Sequence, residues 1–140
     1  MVLRGIFLCR SADLHWFYQQ GASHVSPDYW ENFIASIAEA ERDDYIGAYY
    51  KLLASNNELA KMNAAKHWSM WEGSCVTLRP SHEVTKIFSN PHLALSIARI
   101  EAHYFMSKAS INENQILQNM HKLEGIQPLL FMGVMIWSAP

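Results

Sequence analysis

Only one segment of this 140-residue chain has the pattern of a β-strand, and it comes first. Residues 1–8, "MVLRGIFL", are short, mostly apolar and bounded by polar residues, as in a buried strand. From Ser11 onward the periodic segments predict six or seven helices instead. Because a single strand cannot form a sheet, the pattern predicts a mainly α fold whose strand needs a partner that the helices do not supply.

Helix starts are the clearest local signals. Five of the predicted helices follow a residue whose side chain can accept a hydrogen bond from the first turn, and in two of these a proline comes next. Glycine ends the first and the last of these segments. The predicted caps are Ser11, Ser26, Asn57, Asn90 and Asn112.

Composition excludes several classes of function. The net charge of -2, without a basic stripe, argues against a nucleic-acid surface. The apolar part of the tail is too short to span a membrane. Cys9 and Cys75 are too few for a disulfide framework and fit a reducing, cytoplasmic setting. There is no HExxH motif and no glycine-rich phosphate loop, so we expect neither a metal nor a cofactor.

Two glutamates occur where helical spacing predicts a buried face. Glu72 follows the same spacing as Trp68, Trp71 and Cys75. Two carboxylates beside aromatic rings suit an ammonium ligand, through charge pairing and cation–π attraction. The alternative is more common: a glutamate at the edge of the stripe that reaches water, or one that pairs with Lys or Arg.

Glu101 belongs to the second of these predicted faces, with Leu93, Ile97, Tyr104 and Phe105. The chain has no GxSxG motif that would expose a serine nucleophile. From the residues alone, it is a helical domain with a candidate cation pocket and no catalytic chemistry of its own.

Several longer segments together are more specific. "VLRGIF", "LHWFYQQGAS", "SPDYWENF", "AAKHWSMWEG" and "NPHLALSIARIEAHYF" resemble the proline iminopeptidases, a family of α/β-hydrolase serine peptidases that release N-terminal proline from peptides. The resemblance runs from Met1 to about Ile126. It implies that residues 9–125 are the helical cap (lid) that interrupts the family's catalytic domain, and that residues 1–8 are one strand of a sheet that is otherwise largely missing.

The resemblance also implies roles for particular residues. Glu72 and Glu101 match the two cap glutamates that hold the amino group of the substrate's proline. Phe105 and Phe7 match residues that line the pocket of the proline ring. Phe17 does so too, at a position where the family often has Tyr.

The family's catalytic residues do not match any position of this chain. Its serine lies upstream of the "VLRGIF" strand, its histidine lies well downstream of the cap, and its aspartate belongs to a "GRYD" motif after the last cap helix. We therefore expect no catalytic residue here and no activity from the chain alone. The implied partners are a peptide with N-terminal proline and, under a further alternative, a separately encoded N-terminal fragment. A free-standing helical binding module for proline-like amines or peptide N-termini is the alternative function.

The tail, residues 126–140, carries no charged side chain. At this place the family pattern calls for a strand such as "PAIIVHGRYDMVCP". With suitable synonymous codons, deleting one nucleotide from the proline codon of that strand gives a translation that ends in "IQPLLFMGVMIWSAP". We therefore expect residues 126–140 to be a frameshifted replacement of the strand that carries the catalytic aspartate.

Overall fold

A computed structural model describes residues 1–77 and 81–131 and shows a mainly helical chain with one small sheet. Short 3-10 helices connect several of the longer elements. No helix in the described ranges is long and apolar enough to cross a membrane. In chain order the elements are β1 (Val2–Arg4), α1 (Ser11–Tyr18), α2 (Pro27–Ile34), α3 (Tyr45–Ala54), α4 (Glu58–Cys75), α5 (His82–Phe88), α6 (Pro91–Met106), α7 (Gln115–Gln118) and β2 (Leu129–Phe131).

Helix α4 is the centre of the fold and packs against α2, α3, α5 and α6. Its Trp68 and Trp71 are fully buried and make tilted or edge-on contacts with rings from the neighbouring helices. Close approach of α5 depends on Gly73, because a Cβ there would lie 2.8 Å from the ring of Phe88. Large aromatic side chains on α4 therefore form the core, and a glycine allows α5 to pack closely against the helix.

The predicted caps of the two longest helices are confirmed. The Asn57 side chain accepts a hydrogen bond of 3.1 Å from the backbone of Ala60 at the start of α4. The Asn90 side chain accepts from the first turn of α6, which has Pro91 at its start. At α1 the prediction was off by one position, because Arg10 is the N-cap and Ser11 is already helical.

The strand predicted over residues 1–8 is present, but it is shorter than predicted and it has a partner. Strand β1 covers only Val2–Arg4. It ends before Gly5, whose backbone has a φ of +57°. Its partner is β2, which pairs with it in parallel so that Val2 lies opposite Leu129. The beginning of the chain is therefore joined to the start of the tail. Residues 132–140, which make up most of the predicted frameshift, lie outside the described residues, so that expectation stays a prediction.

The face that α6 buries differs from the predicted one. Ala94, Ala98 and Ala102 are buried, whereas Leu93 and Tyr104 are 38% and 53% exposed. Both sets follow helical spacing, but the small alanine side chains allow α6 to pack closely on α3 and α4. Leu93 and Tyr104 are consequently left at the surface.

The segment after α6 is less regular than the single helix predicted from Asn112 to Gly125. Helix α7 contains only four residues, Gln115–Gln118, and a 3-10 helix follows at Met120–Leu123. Asn114 precedes α7 with a left-handed backbone, at a φ of +60°. A residue in this conformation cannot continue a right-handed helix, so α7 begins only after it.

Candidate functional site

The structure brings Glu72 and Glu101 to the same place, although they lie on different helices. Glu72 is in the last turns of α4 and Glu101 is in the second half of α6. The two helices pack against each other, and both carboxyl groups are half-buried where they do so. Between the two acids lies an aromatic pair, Tyr18 and Trp68, whose rings stack with centroids 4.8 Å apart.

Each member of the aromatic pair donates a hydrogen bond to one acid. The Tyr18 hydroxyl donates to Oε1 of Glu72. The Trp68 indole donates from Nε1 to Oε2 of Glu101 at 2.8 Å. The second oxygen of each carboxyl group has no hydrogen-bond partner among residues 1–77 and 81–131. The rings thus hold the acids in place and leave one oxygen of each available.

Burial and mutual repulsion make both acids hard to ionise. The pKa of Glu72 is raised to about 8, mainly by burial and also by the charge of Glu101, while the Tyr18 hydrogen bond acts in the opposite direction. Burial also raises the pKa of Glu101, against the effect of the Trp68 hydrogen bond. A nearby positive charge would favour the ionised form of both.

Within the described part of the chain, no basic side chain supplies that charge. The ion pairs found there join Arg10 to Asp13, Lys51 to Glu41 and Lys61 to Glu58, all away from the two acids. Among residues 1–77 and 81–131, Glu72 and Glu101 therefore do not form the salt bridge to Lys or Arg that was the alternative. The same ranges also contain no cluster of three His, Cys, Asp or Glu side chains that could hold a metal ion. Two acids beside aromatic rings that pair with no cation of the described residues can bind an external one.

The three phenylalanines predicted for the site surround the same aromatic pair. The ring of Phe105 is 5.2 Å from that of Tyr18, and the ring of Phe17 is 4.8 Å from it. Phe7 joins the group through Phe105, with an edge-on contact at 6.1 Å, and is 48% exposed. All five predicted site residues are therefore within one cluster, which we call the acid–aromatic site: Phe7, Phe17, Tyr18, Trp68, Glu72, Glu101 and Phe105.

Sequence reasoning did not identify Tyr18 and Trp68 as site residues. The sequence predicted Tyr18 only as an aromatic residue of the core. It predicted Trp68 only as a residue on the same helix face as Glu72. Helical spacing gives the neighbours of Trp68 on its own helix, but its partner Glu101 is on another helix. A contact of this kind follows from packing between elements and leaves no signal in local spacing.

Two cavities lined by described residues lie elsewhere. One of 140 Å³ lies beside Gly73 and Phe88, and one of 730 Å³ lies between Tyr50 on α3 and Arg99 on α6. Glu72 and Glu101 line neither of them. The acid–aromatic site is therefore separate from both cavities.

Several known proteins are similar in sequence to this chain. No protein-family model matches the chain. The proline iminopeptidase of Xylella fastidiosa (strain 9a5c) is 42% identical over 134 residues, which are 95% of this chain but only 43% of that protein. The proline iminopeptidase of Arabidopsis thaliana is 37% identical over 135 residues, or 95% of this chain and 36% of that protein. The proline iminopeptidase of Neisseria gonorrhoeae is 35% identical over 135 residues, which are 95% of this chain and 42% of that protein.

These matches are longer than residues 1–126, so the similarity continues into the tail that we expected to lie outside it. The chain spans less than half the length of the relatives it matches. The chain is therefore homologous to a segment of the proline iminopeptidases that makes up less than half of their length.

Proposed function

We propose that this chain is the substrate-recognition part of a proline iminopeptidase, and that Glu72 and Glu101 bind the ammonium group of an N-terminal proline. The observation that carries the proposal is the pair of half-buried acids with which no basic side chain in residues 1–77 and 81–131 forms an ion pair. Each acid keeps one carboxylate oxygen that can accept a hydrogen bond from a ligand. Hydrogen bonds to charged groups are stronger than neutral ones, and the aromatic faces add cation–π attraction.

The phenylalanines account for the apolar half of such a ligand. The pyrrolidine ring of proline has no polar group besides its nitrogen, so it gains from contact with apolar surface. Phe105, Phe7 and Phe17 offer that surface beside the acids. In this proposal the acids bind the nitrogen and the phenylalanines contact the ring carbons.

Ligand binding and proton release are coupled in this proposal. With a pKa of about 8, the Glu72 carboxyl carries its proton at pH 7 in the free protein. An ammonium ligand favours the ionised form and so displaces that proton. Binding should therefore strengthen as the pH rises towards 8, as long as the ligand's amine stays protonated.

The 140 residues alone should not hydrolyse peptides. The resemblance assigns the nucleophilic serine, the histidine and the aspartate to segments other than the cap, within an α/β-hydrolase catalytic domain. The relatives' greater length agrees with a further domain of this kind. Without those groups, acyl-enzyme chemistry has neither nucleophile nor base. Measurable release of proline from a proline arylamide by the purified chain would contradict this.

Titration with proline amide, followed by tryptophan fluorescence, tests the recognition role. Because Trp68 contacts Glu101 directly, its emission should change on binding. We expect saturation in the millimolar range, about 4 kcal/mol of binding free energy, since Phe7 is largely exposed. Glu101→Gln should abolish the signal, whereas Glu83→Gln, on the exposed surface of α5, should preserve it.

Either of two results would change the assignment. If the unaltered chain gives no saturable signal, the recognition role is wrong. Binding in the micromolar range would instead favour the alternative, a free-standing module for proline-like amines or peptide N-termini, because that affinity requires a site that is complete without a second domain.

A further inference from the structure

The cavity of 730 Å³ between α3 and α6, which we call the α3–α6 cavity, lies on a different face of α6 from the acids. Arg99 and His103 line it, and each is two positions from Glu101, a spacing that points side chains to different faces of a helix. Small-molecule sites in proteins have volumes of about 300–1,000 Å³. The α3–α6 cavity is therefore large enough for a ligand that does not contact the acids.

The lining of the α3–α6 cavity is basic. Arg99 and His103 are four positions apart on α6, so their side chains are neighbours on the helix surface. No Asp or Glu is among the described residues that line the cavity. The Arg99 guanidinium forms neither an ion pair nor a hydrogen bond with residues 1–77 and 81–131. Because arginine is charged at any physiological pH, the cavity carries a positive charge that this part of the chain does not neutralise.

The donors that an anion meets in this cavity are chiefly those of the two basic residues. Ser96 donates its hydroxyl to the His92 carbonyl at 2.9 Å, and Ser107 donates to the Tyr104 carbonyl at 3.0 Å. Both serines therefore offer a ligand only acceptor lone pairs. The guanidinium has five N–H donors in a planar fork that matches the two oxygens of a carboxylate, and the imidazole of His103 can add one donor more.

The rest of the lining is largely apolar and aromatic. Leu53 on α3 and Ile100 on α6 contribute aliphatic side chains, and Tyr50 and Tyr104 contribute rings. Such a surface gains from contact with the apolar body of a ligand, and the tyrosine rings can pack against another ring. Inorganic phosphate would contact the basic residues but leave this surface in water. A carboxylate group on an apolar body contacts both parts of the lining.

We propose that the α3–α6 cavity binds a small carboxylate with an apolar body, which Arg99 holds through its guanidinium and His103 through a ring N–H. The apolar body lies against Leu53, Ile100 and the tyrosine rings. This site does not depend on the proposed function of Glu72 and Glu101, because it uses other side chains on another face of α6.

Titration with 3-phenylpropionate tests the site, followed by NMR through the backbone amide signals of Leu53 and Ala54, which line the cavity from α3. The signals should shift and saturate in the millimolar range. 3-Phenylpropionamide has the same body without the charge and should bind about tenfold more weakly, because hydrogen bonds to charged groups are stronger than neutral ones. Inorganic phosphate, which lacks the apolar body, should also bind more weakly than 3-phenylpropionate.

Two substitutions at exposed positions test the residues involved. Arg99→Gln removes the positive charge and should weaken the binding of 3-phenylpropionate about tenfold. Arg4→Gln is the matched control: it makes the same change at an exposed position of β1, outside the lining, and should leave the affinity unchanged. Ile100→Glu adds a negative charge to the lining and should abolish binding by repulsion. Because Ile100 is 58% exposed, this variant should keep the fold.

Several results would overturn this site. They are the absence of saturation by 3-phenylpropionate, equal binding of the amide, and an unchanged affinity in Arg99→Gln. Phosphate that binds as tightly as 3-phenylpropionate would overturn the choice of a carboxylate with an apolar body. Glu101→Gln, which should abolish the response to proline amide, should leave the binding of 3-phenylpropionate unchanged, so the carboxylate site and the recognition role can each fail without the other.

Discussion

Replacing Glu72 by glutamine removes a carboxyl group that burial makes difficult to ionise. Glutamine has nearly the same shape and keeps an oxygen that can accept the Tyr18 hydroxyl. The substitution therefore removes the titration of the group with little change in packing. Its effect on stability should consequently depend on pH.

The sign follows from where the proton binds more tightly. The pKa of Glu72 is about 8 in the folded protein, against 4.5 for an ordinary glutamate. Between these values the folded state holds a proton that the unfolded state has lost, so stability falls as the pH rises through this window. For a fully buried side chain, the unfolding free energy would fall by about 1.4 kcal/mol for each pH unit, or by about 5 kcal/mol over the whole window. Because the side chain is only half-buried, we expect about 2 kcal/mol over the window.

Urea unfolding, followed by tryptophan fluorescence from pH 5 to pH 9, measures this directly. The unfolding free energy of Glu72→Gln should equal that of the unaltered chain near pH 5. At pH 9 it should be about 2 kcal/mol higher than that of the unaltered chain. Glu31→Gln, which removes an exposed carboxylate on α2, should follow the unaltered chain throughout. Parallel curves for Glu72→Gln and the unaltered chain would refute the reasoning, because they would mean that Glu72 ionises as easily when folded as when unfolded.

Further substitutions test the packing and the caps, and sequencing tests the tail. Gly73→Ala places a methyl group against Phe88 and should lower the unfolding free energy by about 1–3 kcal/mol in urea unfolding. Asn90→Ala removes the cap of α6 and should lower the unfolding free energy by about 1 kcal/mol. Asn90→Ser keeps a side-chain oxygen at this position and should lower it much less. Tyr49→Phe should lower the unfolding free energy by about 1 kcal/mol at every pH, because it loses the hydrogen bond that the hydroxyl donates to the Phe33 carbonyl. The frameshift expectation requires a "GRYD" motif in a neighbouring reading frame of the gene, and its absence from all frames would end that expectation.

Local signals in the sequence predicted the helices well. The Asn57 and Asn90 caps depend on side chains that contact backbone groups two or three residues away, so spacing alone determines them. The buried face of α6 was not predictable in the same way. Its alanines and its larger apolar residues follow similar spacings, and only the distance between packed helices decides which set faces inward.

Contacts between distant segments could not be predicted from spacing. The strand pairing joins Val2 to Leu129, at opposite ends of the chain. The hydrogen bond from Trp68 to Glu101 likewise joins two helices through the core. For the acid–aromatic site, helical spacing identified the two glutamates and the family resemblance identified the phenylalanines. The donors that position the glutamates became visible only in the packed structure.

Calorimetric titration with proline amide at pH 7, in two buffers that differ in protonation enthalpy, tests the central claim most directly. If Glu72 and Glu101 bind the ammonium group, the titration should saturate and should release about one proton per ligand bound, because Glu72 must ionise. Both the heat and the proton release should disappear in the double variant Glu72→Gln and Glu101→Gln. Binding that the double variant retains, or that releases no proton, would contradict the assignment of these two acids as the ammonium site.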